Sequence, residues 1–185
     1  LQISGRDRVE FPAYFDLGFG SGRPRDKQAF CVEPLTYAGA ETVATDISNF
    51  KAALQGVADT EPFLPAVAPG SVEHWLWNEH YATQEEFVYA IADVMHDEYK
   101  AIADSGLLLQ IDDPDMLDSW QLYPDQTISE YRKYAEMRVD ALNHALRGIP
   151  KDRVRLHACW GSYHGPHKFD IPLAEVVDLF LSVNA

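Results

Sequence analysis

Cysteine is scarce in this chain. Cys31 and Cys159 are the only two among 185 residues, so at most one disulfide is possible and a disulfide framework is excluded. Seven histidines accompany them, and free thiols beside imidazoles suit a reducing, cytoplasmic setting. Basic charge is also short: 15 Lys and Arg stand against 29 Asp and Glu, a formal net charge of -14. That balance argues against a nucleic-acid backbone or an anionic membrane surface as partner. Long apolar runs are missing as well, none approaching the roughly 20 residues a membrane helix needs. Leu1 to Asp7 have no apolar core of the signal-peptide kind, and Leu1 in the place of an initiator methionine points to a chain that begins inside a longer gene product. Low-complexity segments and a second domain boundary are absent. What remains is a globular composition, 46% apolar and 12% aromatic, at the length of one domain.

Residues 5 to 29 read as a long ordered loop in which Phe11, Tyr14, Phe15 and Phe19 pack against the body. From there on, apolar strands alternate with amphipathic helices. Phe30, Cys31, Val32, Leu35 and Tyr37 suggest a first strand, interrupted or ended at Pro34. Asp46 is the expected N-cap of a helix carrying Ile47, Phe50, Leu54 and Val57, with Gly56 as its stop. Phe63 to Ala68 is a short buried strand closed by Pro69 and Gly70. A capping box of Thr83 and Glu86 opens a helix with Phe87, Ile91, Val94, Met95 and Ile102 on its stripe, and Gly106 stops it. Leu107 to Ile111 is a third strand, ended by Asp112-Asp113-Pro114. Thr127 and Glu130 begin the next helix, whose Tyr131, Ala135, Val139, Leu142 and Leu146 recur every three or four residues up to Gly148 and Pro150. A fourth strand follows at 153–160, and Pro172 then opens a helix with Val176, Val177, Phe180 and Leu181.

Such a βα series fits either an open doubly wound sheet or a closed (β/α)₈ TIM-type barrel. Side-chain parity favours the barrel. Leu108, Gln110 and Asp112 share one face of their strand while Leu107, Leu109 and Ile111 take the other. In the fourth strand Arg155, His157 and Cys159 likewise oppose Val154, Leu156 and Ala158. One face meets helices, and the other gathers polar groups toward the carboxyl ends, where barrels place their active sites. A barrel typically needs about 250 residues. The chain, with only about four βα units, therefore reads as a single partial barrel domain over 1–185. Its open sheet edges lead to the expectation of self-association as a homo-oligomer.

The fourth strand carries the most specific chemistry. His157 and Cys159 lie two residues apart, so an imidazole and a thiol point the same way at the strand's end. Neutral imidazole with thiolate is a donor pair that suits zinc. In an arbitrary His-x-Cys the ordinary role is core packing, since two ligands are half of a four-ligand set.

Surrounding motifs change that weighing. Leu156-His157-Ala158-Cys159-Trp160-Gly161, with Gly165-Pro166-His167 and Asp170-Ile171-Pro172-Leu173, resembles the cobalamin-independent methionine synthase superfamily. The similarity is best to its single-domain methionine-synthase-II-like branch, which includes epoxyalkane:coenzyme M transferases. Gln110-Ile111-Asp112-Asp113-Pro114 is similar to the family's Gln-Ile-Asp-Glu-Pro segment, with Asp113 where glutamate is usual, and Phe63 to Ser71 is similar to a further strand and loop. The resemblance covers most of the chain from about Ala29 onward.

It implies a (β/α)₈ barrel with a zinc ion that activates a substrate thiol. His157 and Cys159 are then the first two zinc ligands, and Asp112 holds the amino group of homocysteine. The partners implied are a small-molecule thiol and a methyl donor, a reduced folate; the alternative in the coenzyme M branch is an epoxide as alkyl donor. Any of Trp75, Trp77, Trp120 and Trp160 could face a pterin ring, though packing is the commoner role of such residues. His164 and His167 stay outside the ligand set, as loop histidines placed to support a ligand or meet substrate. The family's remaining ligands, an acidic residue and a second cysteine, come from strands after the position of Ala185, and Cys31 does not match that cysteine. The resemblance thus implies a chain truncated at both ends, and a non-catalytic remnant or binding module is the rival reading.

Overall fold

A computed structural model describes residues 5–17, 29–160 and 165–185. Its elements in order are α1 Arg6–Glu10, α2 Pro12–Asp16, β1 Ala29–Cys31, α3 Ala40–Ala53, β2 Phe63–Val67, α4 Pro69–Trp75, β3 Leu76–Asn78, α5 Gln84–Asp104, β4 Leu108–Asp113, α6 Asp115–Leu122, α7 Ile128–Ala145, β5 Val154–Ala158 and α8 Val177–Leu181. Short 3₁₀ turns at Lys151–Arg153 and Leu173–Glu175 flank β5 and precede α8. All strand pairs are parallel. β2, β4 and β5 form one sheet in that order, and β1 pairs with β3 in a second. The fold is thus mixed α/β with parallel sheets.

The period-two pattern decides which side of the larger sheet is covered. Leu107, Leu109 and Ile111 are at most 3% exposed, and on the neighbouring strands Ala66 and Val154 are buried on the same side. Against them pack Val88, Ala92, Tyr99 and Ile102 of α5 and Tyr131, Ala135, Val139 and Leu142 of α7. Complete burial of each Leu, Ile or Val there contributes about 1.5–3 kcal/mol. Among the described residues the opposite side has no helical layer: Pro65, Val67, Arg155 and His157 are exposed.

The long helices begin where their caps predict. Thr83 accepts from the Glu86 amide at the start of α5. Glu86 turns its carboxylate to the amide of Ala82 rather than of Thr83, so the box closes one residue early. At α7 both arms of the box are made, with Thr127 accepting from the Glu130 amide and Glu130 from the Thr127 amide. Past the helix ends, Gly106 and Gly148 adopt φ of 88° and 74°, the left-handed conformation that lets the chain reverse without a Cβ clash.

Tertiary packing alters several expectations. Residues 5–17 are two short helices rather than a loop, held by Arg6, whose guanidinium donates to the carbonyls of Trp120, Tyr123 and Gln126 at 3.1, 2.9 and 2.7 Å. Phe19 lies outside the described residues. Asp46 caps nothing: α3 starts at Ala40, because Val43 extends the apolar stripe of Ile47, Phe50 and Leu54 back by one turn, leaving Asp46 on the exposed side. Pro69 does not close β2 but occupies the first turn of α4, where its missing N–H has no partner to lose. The segment after Pro172 is split into a 3₁₀ turn and the short α8. The first strand spans only Ala29–Cys31 and belongs to the separate sheet with β3, so among the described residues the strands do not form one closed sheet.

The outer edge of β2 is blunted. Leu108 N bonds Pro62 O and Ala68 N bonds Asp112 O, so by the alternation of parallel ladders the odd residues Phe63, Pro65 and Val67 turn their backbone groups to the free edge. Pro65 has no N–H to offer there, and Tyr99 Oη, at 2.5 Å, occupies the Val67 carbonyl. Among the described residues no helix is long and apolar enough to cross a membrane.

Candidate functional site

The open face of the larger sheet carries a continuous polar ladder. Register places Gln110 beside Arg155 and Asp112 beside His157. Arg155 Nε donates to Gln110 Oε1 over 2.6 Å, and Gln110 Nε2 donates to Asp112 Oδ1 over 2.7 Å. His157 Nδ1 lies 3.0 Å from that same Oδ1. Arg155 also sits over the ring of Phe63 of β2, its guanidinium carbon 3.5 Å from the ring centroid, so all three strands join the ladder. The His157 and Asp112 side chains are 51% and 34% exposed, so the end of the ladder is reachable from solvent.

The residues singled out from the sequence divide as follows. Asp112 and His157 meet directly, and Asp112 is the last outward-facing residue of β4 rather than a turn cap before Pro114. Cys159 follows the last residue of β5 as a free thiol of intermediate burial. Among the described residues no group of three or more His, Cys, Asp or Glu could hold a metal, so Asp112, His157 and Cys159 together do not make such a group. Cys31 is buried in the other sheet, its Sγ directed to the Glu33 carbonyl. Trp120 and Trp160 are packing residues: Trp120 sits between Arg6 and Tyr131, and Trp160 Nε1 donates to the Ile171 carbonyl at 2.8 Å. Trp77 lies against Phe30, and Trp75 donates to Asp115 at 3.1 Å. His167 pairs with Asp170 at 3.0 Å, and His164 is outside the described residues.

Behind the ladder lies a second polar layer that no motif announces. Asp113, next to Asp112 but on the covered side, is 1% exposed and accepts from Ser71 Oγ at 3.0 Å. Burial pushes its carboxyl up to about 6, against the opposing pull of Arg138 and Ser71. Arg138 of α7 is itself 1% exposed and reaches Glu73 of α4, which also accepts from Tyr134 at 3.2 Å. These contacts bind α4 and α7 to the carboxyl end of β4 and so fix the strand that presents Asp112. A polar residue on the inward parity of β4, Asp113, is the one sequence signal that could have revealed the layer.

Comparison with known proteins bears on what this face serves. The chain is similar to the methionine synthase of Thermococcus kodakarensis, 29% identical over 102 residues, and to that of Pyrococcus horikoshii, 31% identical over 102 residues. A similar match, 29% identical over 102 residues, is to the methionine synthase of Sulfolobus acidocaldarius. These matches support a methionine-synthase-like family for the matched stretch. Each covers 54–55% of this chain but only 26% of the relative, so the matched stretch spans about a quarter of the length of those proteins. No family model matches the chain.

Proposed function

We propose that this chain forms part of the catalytic wall of a zinc-dependent enzyme that transfers a methyl group to a thiol, in the manner of methionine synthesis from homocysteine and a methylated reduced folate. The observation that carries this reading is the meeting of His157 and Asp112 on the solvent-open face, at the carboxyl ends of adjacent parallel strands. A parallel sheet with helices on one side and polar groups on the other has the construction of a barrel wall, and the proposal extends it to a (β/α)₈ barrel completed by further strands.

The donor types of His157 and Cys159 are those that would suit half of a zinc site. His157 Nε2 makes no hydrogen bond among the described residues, and Cys159 carries a free, partly accessible thiol. Imidazole nitrogen with thiolate sulfur is a favoured zinc donor set, and two further ligands would come from beyond the described residues. Zinc held there would stabilise a substrate thiolate at neutral pH, the form in which sulfur is nucleophilic. Asp112 Oδ1 is engaged with His157 and Gln110, while Oδ2 makes no hydrogen bond among the described residues. That second oxygen is suited to the ammonium of an amino-acid thiol, whose sulfur would then lie toward His157 and Cys159. The sulfur would gain the methyl group as the donor's methyl–nitrogen bond breaks, with the pair of electrons leaving on nitrogen, which takes up a proton in place of the one the thiol released.

Methionine formation by the full gene product that carries this chain, supplied with homocysteine and 5-methyltetrahydrofolate, tests the reading. Activity that falls at least a hundredfold in His157→Gln is expected. Turnover unaffected by that change, or none in the wild-type product under saturating substrates and zinc, would overturn it.

A further inference from the structure

We infer that Arg155, Gln110 and Asp112 act as a positioning chain that fixes His157 in the tautomer protonated at Nδ1, with Nε2 directed away from the ladder. The purpose assigned to it, preparing Nε2 as a ligand, rests on the reading of His157 given above.

The polarity of the ladder permits only one arrangement. A guanidinium is a donor without acceptor capacity, so the Gln110 atom 2.6 Å from Arg155 Nε has to be the carbonyl oxygen. Gln110 therefore turns its NH₂ toward Asp112, which it reaches at 2.7 Å. An ionised carboxylate only accepts, so the 3.0 Å contact to His157 requires a proton on Nδ1. Arg155 at one end and Asp112 near the other thus leave no freedom to flip the amide or exchange the imidazole proton. Each member also sits on a regular strand whose register is set by the hydrogen bonds of β4 and β5. The contact of Arg155 with the Phe63 ring anchors the far end to β2.

Chemical consequence follows from position. A neutral imidazole free in water prefers the proton on Nε2, which would leave the nitrogen facing away from Asp112 unable to donate its lone pair. Reversing that preference before any ligand arrives raises the basicity and fixes the ring plane of Nε2, as a carboxylate behind a ligating histidine does in general. Asp112 is on this account a positioning residue through its Oδ1, whatever its Oδ2 binds.

Nitrogen-15 NMR of histidine-labelled 185-residue chain reads the tautomer directly at about pH 8.5, where ordinary imidazoles are neutral. His157→Gln identifies the signal among the seven histidines. The wild-type spectrum should show Nδ1–H as the majority form of His157. Asp112→Ala should invert this to an Nε2–H majority, and Gln110→Leu should give a population between the two. An Nε2–H majority in the wild type overturns the inference without recourse to any variant. An unchanged tautomer in folded Asp112→Ala also overturns it, and one unchanged in folded Gln110→Leu removes Gln110 and Arg155 from the chain. A purely structural Asp112 would lower stability and leave the tautomer alone. Zinc binding by the full gene product is measured separately: an Nδ1–H majority with no zinc bound would sink the metal reading and leave the positioning intact.

Discussion

Arg138 Nε donates to Glu73 Oε2 over 3.1 Å inside the protein, where Arg138 is 1% and Glu73 7% exposed. The pair ties α7 to the short helix α4 that follows β2. Two charges removed from water need each other, and the loss of one leaves the other uncompensated. Glu73→Ala should cost about 3–5 kcal/mol in urea unfolding. Replacing both residues with methionine should recover most of that loss, because the pair's desolvation is then no longer incurred. A double variant as unstable as the single one would show that the pair's hydrogen bonds, rather than its charge balance, sustain the fold.

The buried carboxyls make stability fall as pH rises through mild acidity. Burial pushes Asp113 up to about 6, and burial with the neighbouring Asp115 and Asp170 pushes Asp118 to about 6 as well. Between the ordinary carboxyl range and that value the native state holds a proton that the unfolded chain has released. The unfolding free energy therefore declines with pH, by up to about 1.4 kcal/mol per unit for Asp113 and less for the more accessible Asp118. Asp178, lowered to about 2 by its hydrogen bond to Arg132, acts in the opposite sense but only below about pH 4. Urea titrations between about pH 4.5 and 6.5 should show a decline in the wild type that is shallower in Asp113→Asn. Parallel curves would contradict the raised value at Asp113.

Thr127 is the start signal of α7 and the simplest local test. Its hydroxyl accepts from the Glu130 amide, while Glu130 returns a bond to the Thr127 amide at 2.9 Å. Thr127→Ala should destabilise the protein by about 1 kcal/mol and Thr127→Ser by much less, both read from the urea midpoint. Equal losses in the two variants would place the effect on the methyl group instead of the cap.

Legibility in the sequence follows the range of the forces involved. Thr83 and Thr127 were readable because a cap is a local exchange between a side chain and an amide three residues on. The alternation through Leu107, Leu109 and Ile111 was readable because one face of β4 meets helices and the other does not. Gln110, Asp112, Arg155 and His157 were expected on a common face, and register then aligned two strands 45 residues apart into a single hydrogen-bonded ladder. Asp46 misled because a good N-cap residue sits equally well on the exposed side of a helix. The excursion through α4 and β3 stayed hidden because Pro69-Gly70 has the chemistry of a turn and of a helix start alike. Glu73 with Arg138 was hidden for a different reason: charged residues in helices normally read as solvated, and only the packing of α4 on α7 encloses them.

Metal content of the freshly purified full gene product tests the central claim most directly, that His157 and Cys159 are ligands. Elemental analysis should find one bound zinc, retained through dialysis, whose sulfur signature in X-ray absorption weakens in Cys159→Ser and whose occupancy drops steeply in His157→Gln, with far-UV circular dichroism unchanged. Zinc absent from the wild-type product, or held equally well by both folded variants, would contradict it.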